Sequence, residues 1–159
     1  TGKPSPLGMC IKNGIIYGDY MTSYSVMAVK KDGTIYTPAQ GLMGKNLLAA
    51  GVKDTYNFGP ILIKDGEAQL PWAETEKYYP RTAVGMVKPN DYVLLVTDTG
   101  SYNGLNHWDM VNIFKSYGCT YAYNLDGGGS ATLYFNGKVM NKLIGNTQRP
   151  CADFLYFTR

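Results

Sequence analysis

Four dipeptides, Asn13-Gly14, Asp32-Gly33, Asp65-Gly66 and Asn136-Gly137, each lie between two short apolar runs. Asn-Gly or Asp-Gly in that setting is a strong hairpin signal, because the favoured two-residue turn needs positive φ at both central positions. The flanks pair as strands at 7–12 with 15–17, 26–30 with 34–37, 59–64 with 67–70, and 132–135 with 138–140. Turns this short join antiparallel neighbours, so most of the sheet is expected to be antiparallel.

Two segments break this rhythm. Residues 42–52 place Leu47, Leu48 and Val52 at helical spacing, which reads as a short helix ending at Gly51. Residues 106–117 carry Trp108, Val111, Ile113 and Phe114 as an apolar face, with Asn106 as N-cap and Gly118 as the C′ residue. The run Tyr92-Val93-Leu94-Leu95-Val96-Thr97 before that helix reads as a strand covered on both faces. A short strand follows the helix and ends at Asp126. Strand, helix, strand puts Asp98 and Asp126 at two carboxyl strand ends, the usual ligand crevice when such strands are parallel neighbours. Residues 152–157 read as a further buried strand, and 71–80 as a surface loop. The expected architecture is α+β, a curved and mostly antiparallel sheet with hairpins and two covering helices, in one domain spanning 1–159.

Composition excludes several classes of function. With 45% hydrophobic and 17% charged residues the chain is globular, and 159 residues suffice for a core of its own. A net charge of +3 with no basic run makes no case for nucleic acid. No stretch approaches the ~18 apolar residues of a membrane span. The 14 tyrosines, against 5 Phe and 2 Trp, tilt the chain towards β structure and weakly towards carbohydrate. Cys10, Cys119 and Cys151 fit no metal motif, and their odd number leaves at least one thiol free. Cys119 and Cys151 lie in apolar surroundings and read as buried.

The stretch Tyr123-Asn124-Leu125-Asp126-Gly127-Gly128-Gly129-Ser130-Ala131-Thr132 carries the chemistry. Three successive glycines are costly in a folded domain, so either the backbone turns through positive φ or something approaches it closely. Successive N–H groups in such a turn can converge on an anion. Asp126, Ser130, Thr132 and Asn124 add a carboxylate, two hydroxyls and an amide, which suits an anionic, hydroxylated substrate. The alternative is a tight glycine hairpin without chemistry. Neither a Walker loop nor a dinucleotide fingerprint is present.

Around that turn stand further candidates. Arg81 and Arg149 would form a phosphate clamp if both reach the turn, since guanidinium meets phosphate as a bidentate fork; otherwise they are solvated charges. Asp98, a turn cap or a catalytic group, pairs with Asp126 as the two carboxylates that glycoside cleavage usually employs. His107, the single histidine, reads as a surface or capping residue, which leaves a zinc site or a serine-hydrolase triad unsupported.

Residues 124–132 resemble the phosphodiester glycosidase family. The resemblance continues through Asn57-Phe58-Gly59-Pro60-Ile61-Leu62-Ile63-Lys64-Asp65-Gly66 and Pro80-Arg81-Thr82-Ala83-Val84-Gly85. It also takes in Val96-Thr97-Asp98, Asn136-Gly137-Lys138-Val139 and Arg149-Pro150, all in the expected order. It implies hydrolysis of a sugar-1-phosphodiester, which releases the sugar and leaves a phosphomonoester. Asp126, Asp98 and Arg81 are the implied catalytic residues. Asn124, Gly127, Gly128, Gly129, Ser130, Thr132 and Arg149 are the implied substrate-binding set. No cofactor is required on this reading, although Asp98, Asp126 and Asn124 are oxygen ligands suited to Mg²⁺ or Ca²⁺ in an alternative metal-dependent phosphodiesterase. A non-catalytic module binding glycan or cell envelope is the other alternative. Since many members are exported bacterial proteins, an extracellular or cell-envelope location is expected. The opening Thr1-Gly2-Lys3-Pro4 reads as cut from something longer. Family members carry an earlier strand just upstream, so the domain is expected to lack its N-terminal strand, either because that part has been removed or because a separate N-terminal segment supplies it.

Overall fold

The computed structural model describes residues 5–20, 22–70, 77–98 and 104–158. The chain forms β1 (Cys10–Lys12), β2 (Ile15–Gly18), β3 (Ser25–Lys30), β4 (Ile35–Tyr36), α1 (Gly44–Ala49), β5 (Val52–Phe58), β6 (Ile61–Lys64) and β7 (Glu67–Ala68). It continues with β8 (Thr82–Lys88), β9 (Asp91–Val96), α2 (His107–Ser116), β10 (Tyr121–Leu125), β11 (Tyr134–Phe135) and β12 (Lys138–Val139). A five-stranded sheet runs β7-β6-β10-β8-β9, a three-stranded sheet runs β4-β3-β5, and two hairpins stand beside them. Every pairing among the described residues is antiparallel, so the expected α+β architecture is the one observed.

Alternation along the strands builds the layers. Met27 and Tyr56 from the smaller sheet meet Val84, Met86, Tyr121 and Tyr123 from the larger one, so the two sheets face each other. The opposite face of the larger sheet packs Ala83, Ala122 and Ile63 against Met110, Val111 and Phe114 of α2. Ala28 and Val52, on the outer face of the smaller sheet, pack with Met9, Ile11 and Leu47. Two tyrosine hydroxyls tie the layers polarly. Tyr123 Oη donates to Ser25 O at 2.6 Å and accepts from Phe58 N at 2.8 Å, while Tyr121 and Thr37 share a hydroxyl pair at 2.7 Å. Close packing of α2 on β8 depends on Gly85, where a Cβ would lie 2.5 Å from the Phe114 ring.

Three of the four dipeptides form the expected turn, with Asn13, Asp65 and Asn136 and their following glycines all at positive φ. Asp32-Gly33 differs. There Lys30 N bonds Thr34 O at 2.9 Å across a longer loop, and Asp32 Oδ1 accepts from Thr34 N at 2.8 Å. The predicted 106–117 helix is α2. Its Asn106 cap accepts from Asp109 N at 2.8 Å, and Asp109 returns a bond to complete a capping box. Its buried face is His107, Met110, Val111 and Phe114, so Trp108 and Ile113 lie at the margin and His107 is not a surface residue. The helix expected over 42–52 shrinks to Gly44–Ala49, because Val52 opens β5.

Three further expectations change. The 92–97 run is the edge strand β9, with Leu94 46% exposed, rather than a strand covered on both sides. Residues 152–157 are not a buried strand: they pair with no sheet, and Phe154 is 75% exposed. Cys151 is exposed, whereas Cys10 and Cys119 are buried. Of the loop expected at 71–80, residues 71–76 lie outside the described residues. The described 77–79 are exposed, and Tyr79 bridges to Leu105.

Candidate active site

β9 and β10 both pair with β8, which runs antiparallel to each, so they point the same way and end at one edge of the sheet. Asp98 and Asp126 follow those two ends. They are not on adjacent strands, as parallel neighbours would be. β8 lies between them, with Thr82 opposite both Val96 and Leu125. The backbone of Pro80 and Arg81 is therefore the floor between the two carboxylates. Thr97 N donates to Arg81 O at 2.9 Å on one side, and Gly128 N donates to Pro80 O at 2.8 Å on the other.

The three glycines answer different demands. Gly127 is pressed on Pro80, Gly128 takes a φ of 55°, and Gly129 lies beneath Arg149, with a Cβ there 3.6 Å from Arg149 Cδ. A single turn of 3₁₀ helix, Gly128–Ser130, follows β10, so the stretch is not a hairpin. The amide cradle expected from the sequence is mostly engaged internally. Gly127 N bonds Asp126 Oδ1, Gly128 N bonds Pro80 O, and Ser130 N bonds Gly127 O. Among the described residues only the Gly129 N–H of these four lacks an acceptor.

Asp126 is the hub. Its Oδ2 accepts from Ser130 Oγ at 2.7 Å and from Arg149 Nη2 at 2.6 Å, and its Oδ1 accepts from Gly127 N at 2.9 Å. The Arg149 and Asp126 side chains are 54% and 47% exposed, so this pair faces solvent. Arg81 does not join it. Its Nε donates to Leu105 O at 3.1 Å, its Nη2 donates to Lys77 O at 3.0 Å, and the guanidinium lies over Tyr79. Partial burial pulls the Arg81 pKa down, and Tyr79 opposes that shift. Of the two arginines only Arg149 reaches the glycine turn, while Arg81 braces the loops beside it.

Asp98 Oδ2 accepts from Lys142 N at 2.8 Å. It lines a cleft of about 610 Å³ with Tyr78, Leu105, Asp109, Leu133, Met140 and Asn141. Asn124 is 1% exposed: its Nδ2 donates to Gly59 O at 2.7 Å, while its backbone pairs with Gly59 N and Pro60 O. It is the pin joining the Asn57–Pro60 segment to the glycine turn. Thr132 follows the turn half-buried. Sequence reasoning missed Asn141, whose amide bonds Leu133 N at 2.7 Å and Ala131 O at 2.9 Å and so holds the chain after the turn. An isolated Asn after a short strand gave no signal for that role. Among the described residues no group of three His, Cys, Asp or Glu is placed to hold a metal ion.

Known proteins bear on this geometry. The sequence profile of the phosphodiester glycosidase family matches residues 1–158. An uncharacterised SPbeta prophage-derived protein, YomE of Bacillus subtilis, is 31% identical over 94% of this chain and 25% of its own length. The Bos taurus N-acetylglucosamine-1-phosphodiester alpha-N-acetylglucosaminidase is 43% identical over 82% of this chain and 29% of its own. The chain thus spans little more than a quarter of the curated relatives it matches. The catalytic domain of the zebrafish enzyme of that name, solved as auto-inhibited by its pro-peptide, superposes with a TM-score of 0.69 at 22% identity, covering 92% of this chain and 55% of that one. That likeness concerns the fold. The family profile runs through every segment that builds the glycine turn and its surroundings, and the chain belongs to the phosphodiester glycosidase family.

Proposed function

We propose that the chain hydrolyses a glycosyl phosphodiester, releasing the sugar and leaving a phosphomonoester on the partner. The observation that carries this reading is the solvent-facing Arg149–Asp126 pair at the end of β10. A guanidinium matches a phosphate, and a carboxylate matches the positive, oxocarbenium-like centre of glycoside cleavage. A glycosyl phosphodiester presents those two demands on neighbouring atoms, the phosphate being bonded to the anomeric carbon. The names of the mammalian relatives specify such a bond.

In this scheme water adds its oxygen to the anomeric carbon, and the bond from that carbon to the phosphate oxygen breaks with its electron pair leaving on phosphate. The departing phosphomonoester has a second pKa of about 6, so near neutrality it leaves with little need of a proton. Arg149 then neutralises the developing charge. Asp126, oriented by Ser130 and Gly127, faces the anomeric centre. Asp98, which lines the cleft, takes the proton of the attacking water. The cleft walls of Tyr78, Met140 and Asn141 offer the mixed apolar and polar contacts a sugar ring uses. Export from the cytoplasm and independence from divalent cations belong to the same proposal.

Incubation with an α-N-acetylglucosamine-1-phosphodiester, following free sugar and phosphomonoester, tests it beside Asp126→Asn. Turnover by the wild type, insensitive to EDTA and lost in the variant, is the expected result. Silence across several sugars, with saturable glycan binding retained by Asp126→Asn, would replace the enzyme by a binding module.

A further inference from the structure

Residues 148–158 carry Arg149 to Asp126 without joining any sheet. Among the described residues this arm makes no backbone-to-backbone hydrogen bond, so side-chain clips alone fix its course. The central clip is Lys12. Its Nζ stands 2.8 Å from Asp153 Oδ2, donates to Thr55 O at 2.9 Å and lies 3.4 Å from the centroid of the Tyr56 ring. Tyr56 Oη donates to Phe154 O at 3.4 Å, Leu155 packs against the cluster between the sheets, and Phe157 meets Tyr92 with ring centroids 5.2 Å apart. The Lys12 side chain is only 23% exposed, and its strand is pinned by Thr55, whose hydroxyl accepts from Ile11 N and donates to Met9 O. A lysine held on three sides cannot swing away as a solvated one does.

We propose that Lys12 is a positioning residue for Arg149, a latch on Asp153 that sets the arm so that the guanidinium meets the glycine turn. This rests on the reading of Arg149 as the phosphate-binding group. Arg149 and Asp153 are four residues apart on a segment without a ladder, so freeing Asp153 removes the ion pair that holds the arm nearest Arg149 and leaves only the contacts of Phe154, Leu155 and Phe157 beyond it. Lys12 touches no substrate and acts through the arm.

The molecule carries its own reporter. Cys151 is exposed, with its Sγ bonded to Arg149 O at 3.4 Å, whereas Cys10 and Cys119 are buried and burial pushes both thiols up. An aromatic disulfide reagent therefore reads the arm at Cys151. Lys12→Met is expected to speed that modification about fivefold and to raise KM for the glycosyl phosphodiester about tenfold, with kcat held within about twofold, the scale of one lost cation–π contact and one partly buried ion pair. Lys12→Arg should restore both, and Asp153→Asn should reproduce the Met variant should Lys12→Met fail to fold. In an Arg149→Ala background Lys12→Met should leave KM unchanged, which a purely structural lysine would not. Wild-type modification rates and KM in Lys12→Met and Asp153→Asn would overturn the latch. A wild type that cleaves no glycosyl phosphodiester sinks the proposed function instead, and the modification rates then decide the latch alone.

Discussion

A Cβ on Gly127 would stand 2.5 Å from the carbonyl oxygen of Pro80, the same oxygen that accepts from Gly128 N at 2.8 Å. Neither side can yield, because the Pro80 end of β8 and the Leu125 end of β10 are locked in register at Thr82. Gly127→Ala should therefore cost about 1–3 kcal/mol of stability, the usual range for overpacking, and abolish turnover by shifting Asp126. Gly129→Ala places its Cβ 3.6 Å from Arg149 Cδ, an ordinary contact, and should stay within about 0.5 kcal/mol of wild type. Urea melts with turnover measured on both variants check this; equal losses would contradict the assignment.

Tyr123 is fully buried between the two sheets, and its hydroxyl links β10 to both Phe58 N and Ser25 O. Tyr123→Phe removes no apolar surface but strands a part-buried donor and acceptor, at a cost of about 1 kcal/mol or more. The contrast is Tyr134→Phe on an exposed hairpin position, expected to be neutral. Thermal denaturation separates them, and a Tyr123→Phe protein as stable as wild type would mean the sheets are not joined there.

Burial pushes the Tyr56, Tyr121 and Tyr123 hydroxyls well above the ordinary tyrosine value, with the Thr37 bond opposing the shift at Tyr121 and the Phe58 bond opposing it at Tyr123. The unfolded chain therefore releases these protons first as pH rises. Stability from them is complete below the unfolded value of about 10 and is lost above it. A tyrosinate absorbance titration should show Tyr56, Tyr121 and Tyr123 ionising only together with loss of the fold. A single reversible step for all 14, with circular dichroism unchanged, would refute their burial.

Local signals were legible where local chemistry decides. Asn106 and Gly118 bound α2, and three Xaa-Gly pairs turn as their residues require. The rest depended on partners distant in sequence. Val52 fits a helical face after Leu48, yet it begins β5 because β3 is there to pair with it. The β8–β9 hairpin was missed because its turn is Pro89-Asn90, with Asn90 at a φ of 65°, and carries no glycine. At the site, the residue types around Asp126 were readable, but their division of labour was not. Arg81 and Arg149 look alike in sequence; only the carbonyls of Lys77 and Leu105 show that one of them braces loops. Asn124 looked like a ligand group because it stands in the same polar stretch as Asp126, whereas Asn124 is still in β10 with its amide buried on Gly59 O and Asp126 lies beyond the strand end.

The division between the two arginines predicts how they fail. Arg149 meets Asp126 in solvent, so Arg149→Ala leaves no buried group unmatched, and its folding cost should be small. Its loss should instead fall on the phosphate. Hydrogen bonds to charged groups contribute about 1.5–3 kcal/mol, so kcat/KM for a glycosyl phosphodiester should drop about tenfold to a hundredfold. Arg149→Lys should recover only part of this, since an ammonium lacks the planar fork. Arg81→Ala should behave oppositely, because Lys77 O would lose its donor, Leu105 O would keep only Tyr79 N, and the loops flanking the cleft would lose their brace. Its melting temperature should fall, while the residual activity of the folded fraction keeps a near-normal KM. Steady-state kinetics with melting curves on both variants would decide, and a large KM rise in Arg81→Ala without destabilisation would return Arg81 to the phosphate.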